Sequence, residues 1–143
     1  KAEYTKDNCM SIGSYGGSDA AYANWDGWRM PAETEMRELV YNCTWEWITQ
    51  NGVNGYEVTG PNGNSIFLPA AGSRHGSSLN GAGEYGCYWS ASIYYKEIDQ
   101  GAGHYDYDYL GNVFAYYLNF DSSEHYVYDN FRYHGQSVRP VSE

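Results

Sequence analysis

The spacing of apolar residues predicts one helix early in the chain. Between Met36 and Cys43 they recur at i, i+3, i+4 and i+7, which places them on one face of an α-helix. Pro31 precedes this pattern and acidic residues fill the first turn, and both features favour a helix N-terminus. We therefore predict a helix over Ala32–Asn42. Ala32 has no side chain that could cap the first amides, so we expect this end to fray.

After residue 43 the pattern changes to the two-residue alternation of β-strands. Trp45 and Trp47 flank a polar residue, which predicts a short strand. Tyr56–Thr59 and Ser65–Leu68 are two further strand-like runs, and Gly60–Asn64 between them has the composition of a hairpin turn.

The rest of the chain alternates between short strand-like runs and long polar segments. The other predicted strands are Cys9–Ile12, Tyr88–Ile93, Phe114–Phe120 and Ser137–Val141. Ala70–Gly83 is predicted to be a loop. One early helix followed by short strands and long loops is typical of the α+β class. We expect a small twisted antiparallel sheet with the last three of these strands paired at its centre, together with long irregular loops.

The charge and length narrow the classes of function. The 143 residues include 8 Lys and Arg against 18 Asp and Glu, a net charge of −10. Phosphate backbones are bound by clusters of basic residues, and the chain has none, so nucleic acid is not expected as a partner. No apolar run reaches the roughly 18 residues of a membrane span, so this segment is not expected to insert into a membrane. Residues 1–143 are expected to form one domain.

Residues with reactive side chains form no recognisable catalytic or metal-binding motif. Cys9, Cys43 and Cys87 are an odd set without C-x-x-C spacing, which favours buried thiols and leaves any disulfide pairing open. Asp106 and Asp108 have the spacing that starts a calcium loop, but the Gly and the distal Glu of such a loop do not follow. We predict no catalytic residue, no metal site and no cofactor.

Tyrosine is concentrated in the last third of the chain. Twelve of the 17 tyrosines lie at or beyond Tyr85, among Asp, Asn, Ser, His and Gly. Tyr offers a large, rigid contact area at low entropic cost, and the small polar residues add adaptable hydrogen bonds, as in recognition surfaces. We predict that loops drawn from Tyr94–Tyr109 and Asp121–His134 bind a ligand. The candidate contact residues are Tyr94, Tyr95, Tyr105, Asp106, Tyr107, Asp108, Tyr109, Tyr126, Tyr128, Asp129, Asn130, Phe131, Tyr133 and His134. The five tryptophans, in contrast, are predicted to lie in or beside the core.

Three groups of motifs, in order along the chain, resemble one protein family. The motifs are Gly27–Pro31, then Asn51–Tyr56 with Gly60–Gly72, then Tyr88–Ser92 with Ala115–Leu118 and Gly135–Val141. They resemble the Fibrobacter succinogenes major paralogous domain family of bacterial surface domains, from about Trp25 to Val141. The resemblance implies a C-type lectin-like fold of the formylglycine-generating-enzyme branch and a location at the cell surface or outside the cell.

The resemblance also bears on catalysis. Enzymes of that branch use a pair of cysteines in the C-terminal part of the fold, whereas only Cys87 lies there in this chain. No enzyme is therefore expected.

A subset of such domains resembles the variable proteins of diversity-generating retroelements, in which adenines of AAC and AAT codons are altered. Between Asp121 and His134, 13 of the 14 residues can be reached from such codons. Residues from about 89 to 134 would then form the variable, ligand-binding part of the domain. The residues of these segments that cannot be reached, and would have to be unvaried, include Lys96, Glu97, Gln100 and Glu124.

The sequence thus predicts an adhesin-like domain that recognises a protein or glycan on a cell or phage surface. Two other interpretations stay open. One is a degenerate or divergent enzyme of the formylglycine-generating type, and the other is a passive structural surface module.

Overall fold

The computed structural model describes residues 19–94, 97–99, 105–107 and 114–142. Strands make up 53% of these residues. Their single helix, α1, spans Glu33–Asn42. The strands are β1 Trp28–Arg29, β2 Thr44–Gln50, β3 Val53–Thr59, β4 Ser65–Pro69, β5 Ser73–His75, β6 Ser78–Asn80, β7 Tyr85–Ile93, β8 Glu97–Asp99, β9 Tyr105–Tyr107, β10 Phe114–Asp121, β11 His125–Phe131 and β12 Val141–Ser142. The predicted strand at Cys9–Ile12 lies outside the described residues.

The strands pair into small antiparallel sheets. The two three-stranded sheets have the orders β2-β3-β4 and β11-β10-β7, while β1 pairs with β12, β5 with β6 and β8 with β9. The predicted helix, the β3–β4 hairpin and the pairing of β7 with β10 are confirmed. We call β11-β10-β7 the central sheet, because both the main core and the candidate site are built on it.

The expected α+β, C-type lectin-like class is wrong, because the described part of the chain is nearly all-β. The error comes from polar segments that were predicted to be loops. Ala70–Gly83 contains the β5–β6 hairpin, and half of Asp121–His134 is strand β11. In these segments the residues between the turns satisfy their backbone groups by pairing with a neighbouring strand, which composition alone does not reveal.

The C-terminal segment also differs from the prediction of a central strand at Ser137–Val141. Ser137 makes only an isolated parallel bridge to Tyr88, on the edge of β7 that faces away from β10. The chain then continues to β12, which pairs with β1 near the start of the described residues. The segment therefore borders the central sheet instead of forming its third strand, which is β11.

The first amides of α1 are capped by side chains from outside the predicted cap position. The N–H of Glu33 donates to the hydroxyl of Ser92 in β7 at 3.0 Å. The N–H of Ala32 donates to the carboxylate of Glu35 at 2.8 Å, and Arg29 holds the same carboxylate with two hydrogen bonds. Because these contacts satisfy amides that the sequence left without a partner, the reason for expecting fraying at this end no longer holds.

The main core lies between α1, the β2-β3-β4 sheet and one face of the central sheet. Its fully buried members include Met36, Leu68, Leu118 and Phe120. The Phe120 ring lies at the centre of an aromatic cluster in which the ring centroids of Tyr56, Tyr88, Trp45 and Trp47 are 5.4, 5.9, 6.1 and 6.4 Å away. The predicted core position of Trp45 and Trp47 is thus confirmed at the core edge.

A second, smaller cluster covers one end of the opposite face of the central sheet. Ala21, Met30 and Ala115 are buried in it, with Trp89 packed alongside. The buried Asp19 carboxylate accepts hydrogen bonds from the amides of Ala21, Tyr22 and Met30, which holds the covering segment in place. The prediction fails for Trp25 and Trp28, which belong to the same segment but are 51% and 42% exposed.

Candidate functional site

The central sheet has one face that is turned away from α1 and the main core, and we call it the outer face. Leu118 and Phe120 of β10 point into the main core, so their neighbours Tyr117 and Asn119 point the other way. The same alternation applies in β7 and β11, where cross-strand partners share a face. The outer face includes Tyr85, Cys87, Trp89, Tyr117, Asn119, Asp121, Tyr126, Tyr128 and Asn130.

Aromatic side chains form a row across this outer face. Tyr117 is the cross-strand partner of both Trp89 and Tyr128, and its ring meets that of Trp89 edge-on at 5.9 Å. Tyr128 at the outer end is 62% exposed. Burial raises the pKa of Tyr117 to about 12, so its phenol stays protonated and can both donate and accept hydrogen bonds at neutral pH.

A second row on the outer face is polar. The amide of Asn119 donates to the hydroxyl of Tyr126 at 2.7 Å, and its carbonyl accepts from the thiol of Cys87 at 3.3 Å. Cys87 and Asn119 of this row form the floor of a groove of about 550 Å³. The described lining of the groove is Ser73, Glu84, Tyr85, Cys87, Tyr117, Asn119, Asp121, Ser122 and Ser123.

A chain of ring contacts runs along the end of the central sheet, and we call it the aromatic ladder. Its members, in order of contact, are Tyr94, Phe114, Phe131, Tyr133, His134 and His75, with successive centroids 6.4, 4.3, 5.1, 4.6 and 5.1 Å apart. Burial lowers the pKa of His134, and the neighbouring His75 lowers it further. The ladder meets the outer face at Trp89, whose indole N–H donates to the carbonyl of His134 at 3.2 Å.

Six of the predicted contact residues lie on or beside β11, and three of these are on the outer face. Tyr126 and Tyr128 are 37% and 62% exposed, and Asn130 is the cross-strand partner of Ala115. Phe131 and Tyr133 belong to the ladder and are 38% and 57% exposed. The other members of this group, Asp129 and Asn130, are half-buried.

The remaining predicted contacts lie on the ladder, on β9 or outside the described residues. Tyr94 and His134 are half-buried members of the ladder. Tyr105, Asp106 and Tyr107 form β9, of which the structure describes the backbone pairing with β8 alone. The three residues Tyr95, Asp108 and Tyr109 lie outside the described residues.

Sequence reasoning missed several residues that the structure brings to the same surface. Trp89 was predicted to lie in or beside the core, where it does pack on the second cluster, but no role in binding was given to it, to Tyr117 or to Asn119. The signal was present in the alternation of β10, because residues out of phase with the buried Leu118 and Phe120 must face the other side. Glu84 and His75 carry no such signal, because Glu84 lies in the turn before β7 and His75 ends β5, a strand in a segment that was predicted to be a loop.

The chemistry of the outer face favours binding over nucleophilic reaction. Burial raises the pKa of Cys87 to about 11, so the group at the floor of the groove is a thiol and not a reactive thiolate at neutral pH. Among the described residues, no group of three or more His, Cys, Asp or Glu side chains could hold a metal ion. Aromatic rings, amides, hydroxyls and carboxylates remain, and these groups recognise ligands by stacking, hydrogen bonding and charge.

Comparisons with known proteins return no match, either to protein-family models or to curated proteins and solved structures. The resemblance to the Fibrobacter succinogenes major paralogous domain family therefore stays a prediction. In the described part of the chain, no helix has the length and apolar character needed to cross a membrane.

Proposed function

We propose that this chain is a recognition domain that binds a macromolecular ligand through the outer face and the aromatic ladder. The ligand is a protein or glycan displayed on a cell or phage surface, and the domain itself works at the cell surface or outside the cell. This location rests on the family resemblance, and the binding role rests on the surface chemistry.

The observation that carries the proposal is the exposure of four large aromatic side chains within eight residues. Tyr126, Tyr128, Phe131 and Tyr133 remain 37–62% exposed although the chain has a well-formed aromatic core. Contiguous exposed aromatic surface is unusual on soluble domains and marks interaction sites. Strand β11, which carries the first three, is anchored from behind because Val127 is buried in the main core between Tyr126 and Tyr128. Such an arrangement presents rigid rings at little entropic cost.

The test separates the two parts of the surface. One variant replaces Tyr126 and Tyr128 by Ala, a second replaces Phe131 and Tyr133, and a third combines all four substitutions. The labelled full chain is applied to panels of immobilised glycans and of purified surface proteins. We expect the fourfold variant to lose at least 100-fold in affinity for whichever probe the natural chain captures, as hot-spot aromatics do when truncated.

The matched control replaces Tyr41 and Val53, which are 72% and 44% exposed and lie on α1 and β3, outside the proposed surface. This variant should keep its affinity. The fourfold variant should stay folded with its melting temperature lowered by about 10 °C or less, because four surface substitutions of about 0.5 kcal/mol or less each sum to about 2 kcal/mol. Equal loss of affinity in the control contradicts the proposed location, and absence of capture by any probe favours a passive structural module.

We further propose that the segment from about residue 89 to residue 134 is diversified by a retroelement. This proposal can be tested on the gene alone. A near-copy of the coding DNA should lie close by, with adenines at the codons of Tyr126, Tyr128 and Tyr133, so that it encodes mainly Asn there. Trp89 and Val138 should be identical in both copies, because they pack on the second cluster. Sequencing the flanking DNA decides the matter. Absence of both a template copy and a reverse-transcriptase gene would leave a domain of fixed specificity.

A further inference from the structure

We propose that the groove on the outer face receives a cationic side chain of a partner protein, an Arg guanidinium or a Lys ammonium group. This inference rests on the proposed function and narrows the ligand from any macromolecule to a protein with a basic segment.

The first argument is the charge of the groove. Two carboxylates line it, those of Glu84 and Asp121, and its described lining contains no Lys or Arg. They are near each other because Asp121 is the cross-strand partner of Tyr85, which directly follows Glu84. A cleft lined by charges of one sign concentrates the field of those charges and favours a ligand group of the opposite sign.

The second argument is that one of the two carboxylates is held in a fixed position. An oxygen of Asp121 accepts hydrogen bonds from the N–H and hydroxyl of Ser123, at 2.7 and 2.6 Å, and from the N–H of Glu124 at 3.1 Å. These bonds lower the pKa of Asp121, so it is ionised at neutral pH. A carboxylate that is already oriented loses less entropy when it binds a donor.

The third argument is the aromatic wall beside the carboxylates. Tyr85 and Tyr117 both line the groove, and Tyr126 is bonded to Asn119 at its floor. The face of a tyrosine ring attracts cations, and guanidinium groups stack on such faces while their N–H groups bond to carboxylates. Carboxylates, a neutral amide and tyrosine rings together suit a planar cationic group.

The charge of the whole chain supports a basic partner. With 18 acidic against 8 basic residues the chain has a net charge of −10. Two of the described ion pairs join Arg29 to Glu35 and Arg37 to Glu33, at α1 on the other side of the central sheet. Acidic excess of this size speeds encounter with a basic protein surface and disfavours an acidic one.

The experiment uses a charged probe and its neutral isostere. N-acetyl-L-arginine amide and N-acetyl-L-citrulline amide are titrated into the full chain at low ionic strength, and binding is followed by NMR. We expect the arginine probe to bind with a Kd on the order of millimolar. The citrulline probe should bind at least tenfold more weakly. Added salt at about 0.5 M should lower the affinity of the arginine probe, because it screens the charges.

Variants locate the binding. Replacing Glu84 by Gln and Asp121 by Asn in one protein should raise the Kd of the arginine probe at least fivefold. The amide oxygen introduced at position 121 can still accept the Ser123 bonds, so the local turn is kept. The matched control Glu38→Gln with Glu46→Gln removes the same charge from exposed positions on α1 and β2 and should change the affinity less than twofold. Near-ultraviolet circular dichroism confirms that each variant is folded.

Three results would overturn the inference: equal binding of both probes, an unchanged Kd in the Glu84→Gln, Asp121→Asn variant, or tighter binding of a neutral methyl glycoside than of the arginine probe. None of these results bears on the proposed function, which fails only if the aromatic variants keep their affinity for the macromolecular probe. Loss of macromolecular binding in the aromatic variants with no charge dependence would leave a recognition domain whose ligand is not cationic.

Discussion

Replacing Phe120 by Ala is expected to lower the free energy of unfolding by about 3–5 kcal/mol, the range measured for large aromatic residues in well-packed cores. Phe120 is fully buried, and four aromatic rings surround it at centroid distances of 5.4 to 6.4 Å. These rings are held by different strands and cannot all collapse into the cavity that the substitution leaves. Since domains of this size have about 5–15 kcal/mol of stability in total, the variant will be near the limit of folding.

Chemical denaturation of the purified variants measures this effect. The informative control is Tyr128→Ala, which removes an aromatic ring of similar size from the same sheet but from the outer face. We expect this variant to change the free energy of unfolding by about 0.5 kcal/mol or less. Similar losses at the two positions would show that the assignment of inner and outer faces is wrong.

Replacing Gly86 by Ala is expected to cost about 1–3 kcal/mol, although it adds only one methyl group. Gly86 is the cross-strand partner of Phe120, and a Cβ built on it would lie 2.2 Å from the tip of the Phe120 ring. The ring cannot move away easily because it is itself packed on all sides. A matched control is Gly60→Ala, where the nearest atom would be the side-chain oxygen of Asn62 at 3.2 Å, the end of an exposed side chain.

A double-mutant cycle tests the cause of this effect. If overlap with Phe120 is responsible, then shortening that side chain to Leu should relieve it. We expect the variant with both Gly86→Ala and Phe120→Leu to be more stable than the sum of the two single effects predicts, by about 0.5–3 kcal/mol. Strict additivity would mean that Gly86 is needed for another reason, such as the backbone conformation of β7. Thermal and denaturant unfolding of the four proteins supply the cycle.

The stability measurements also distinguish a loss of binding from a loss of folding in the binding tests. The four aromatic residues of the proposed surface follow Phe120 closely in the sequence, and strand β11 also contributes Val127 to the main core, so a loss of binding could follow from unfolding. The free energy of unfolding of Phe120→Ala, measured beside the surface variants, shows how much stability is lost when a core ring is removed. Binding variants that keep the natural unfolding curve then report on the surface alone.

Several features followed from local pattern. The helix α1 and the β3–β4 hairpin were predictable because their signals are contained within a few residues, as helical spacing and as turn composition. Strand β10 was predictable for the same reason, because its two-residue alternation is a local signal. The exposure of Tyr126, Tyr128, Phe131 and Tyr133 also agreed with the prediction, since polar neighbours indicate solvent.

Pairing between distant segments could not be read from such local patterns. The nearly all-β character depends on which polar segments find a partner strand, and residues such as those of β5, β6 and β11 have no local property that distinguishes them from loops. The exposure of Trp25 and Trp28 was likewise missed, because burial depends on what packs against a side chain and not on its hydrophobicity.

Local composition thus supplied the kinds of side chain available for recognition, and tertiary pairing decided their arrangement. The groove requires Glu84 and Asp121 to meet across β7 and β10, which are separated by the whole segment between residues 93 and 114. The register between β7 and β10 places these two residues beside each other. That register is specified by the burial of the opposite face, where Leu118 and Phe120 enter the core. The sequence therefore determined that the chain carries an aromatic, acidic surface, while the fold determined that this surface is a single grooved face.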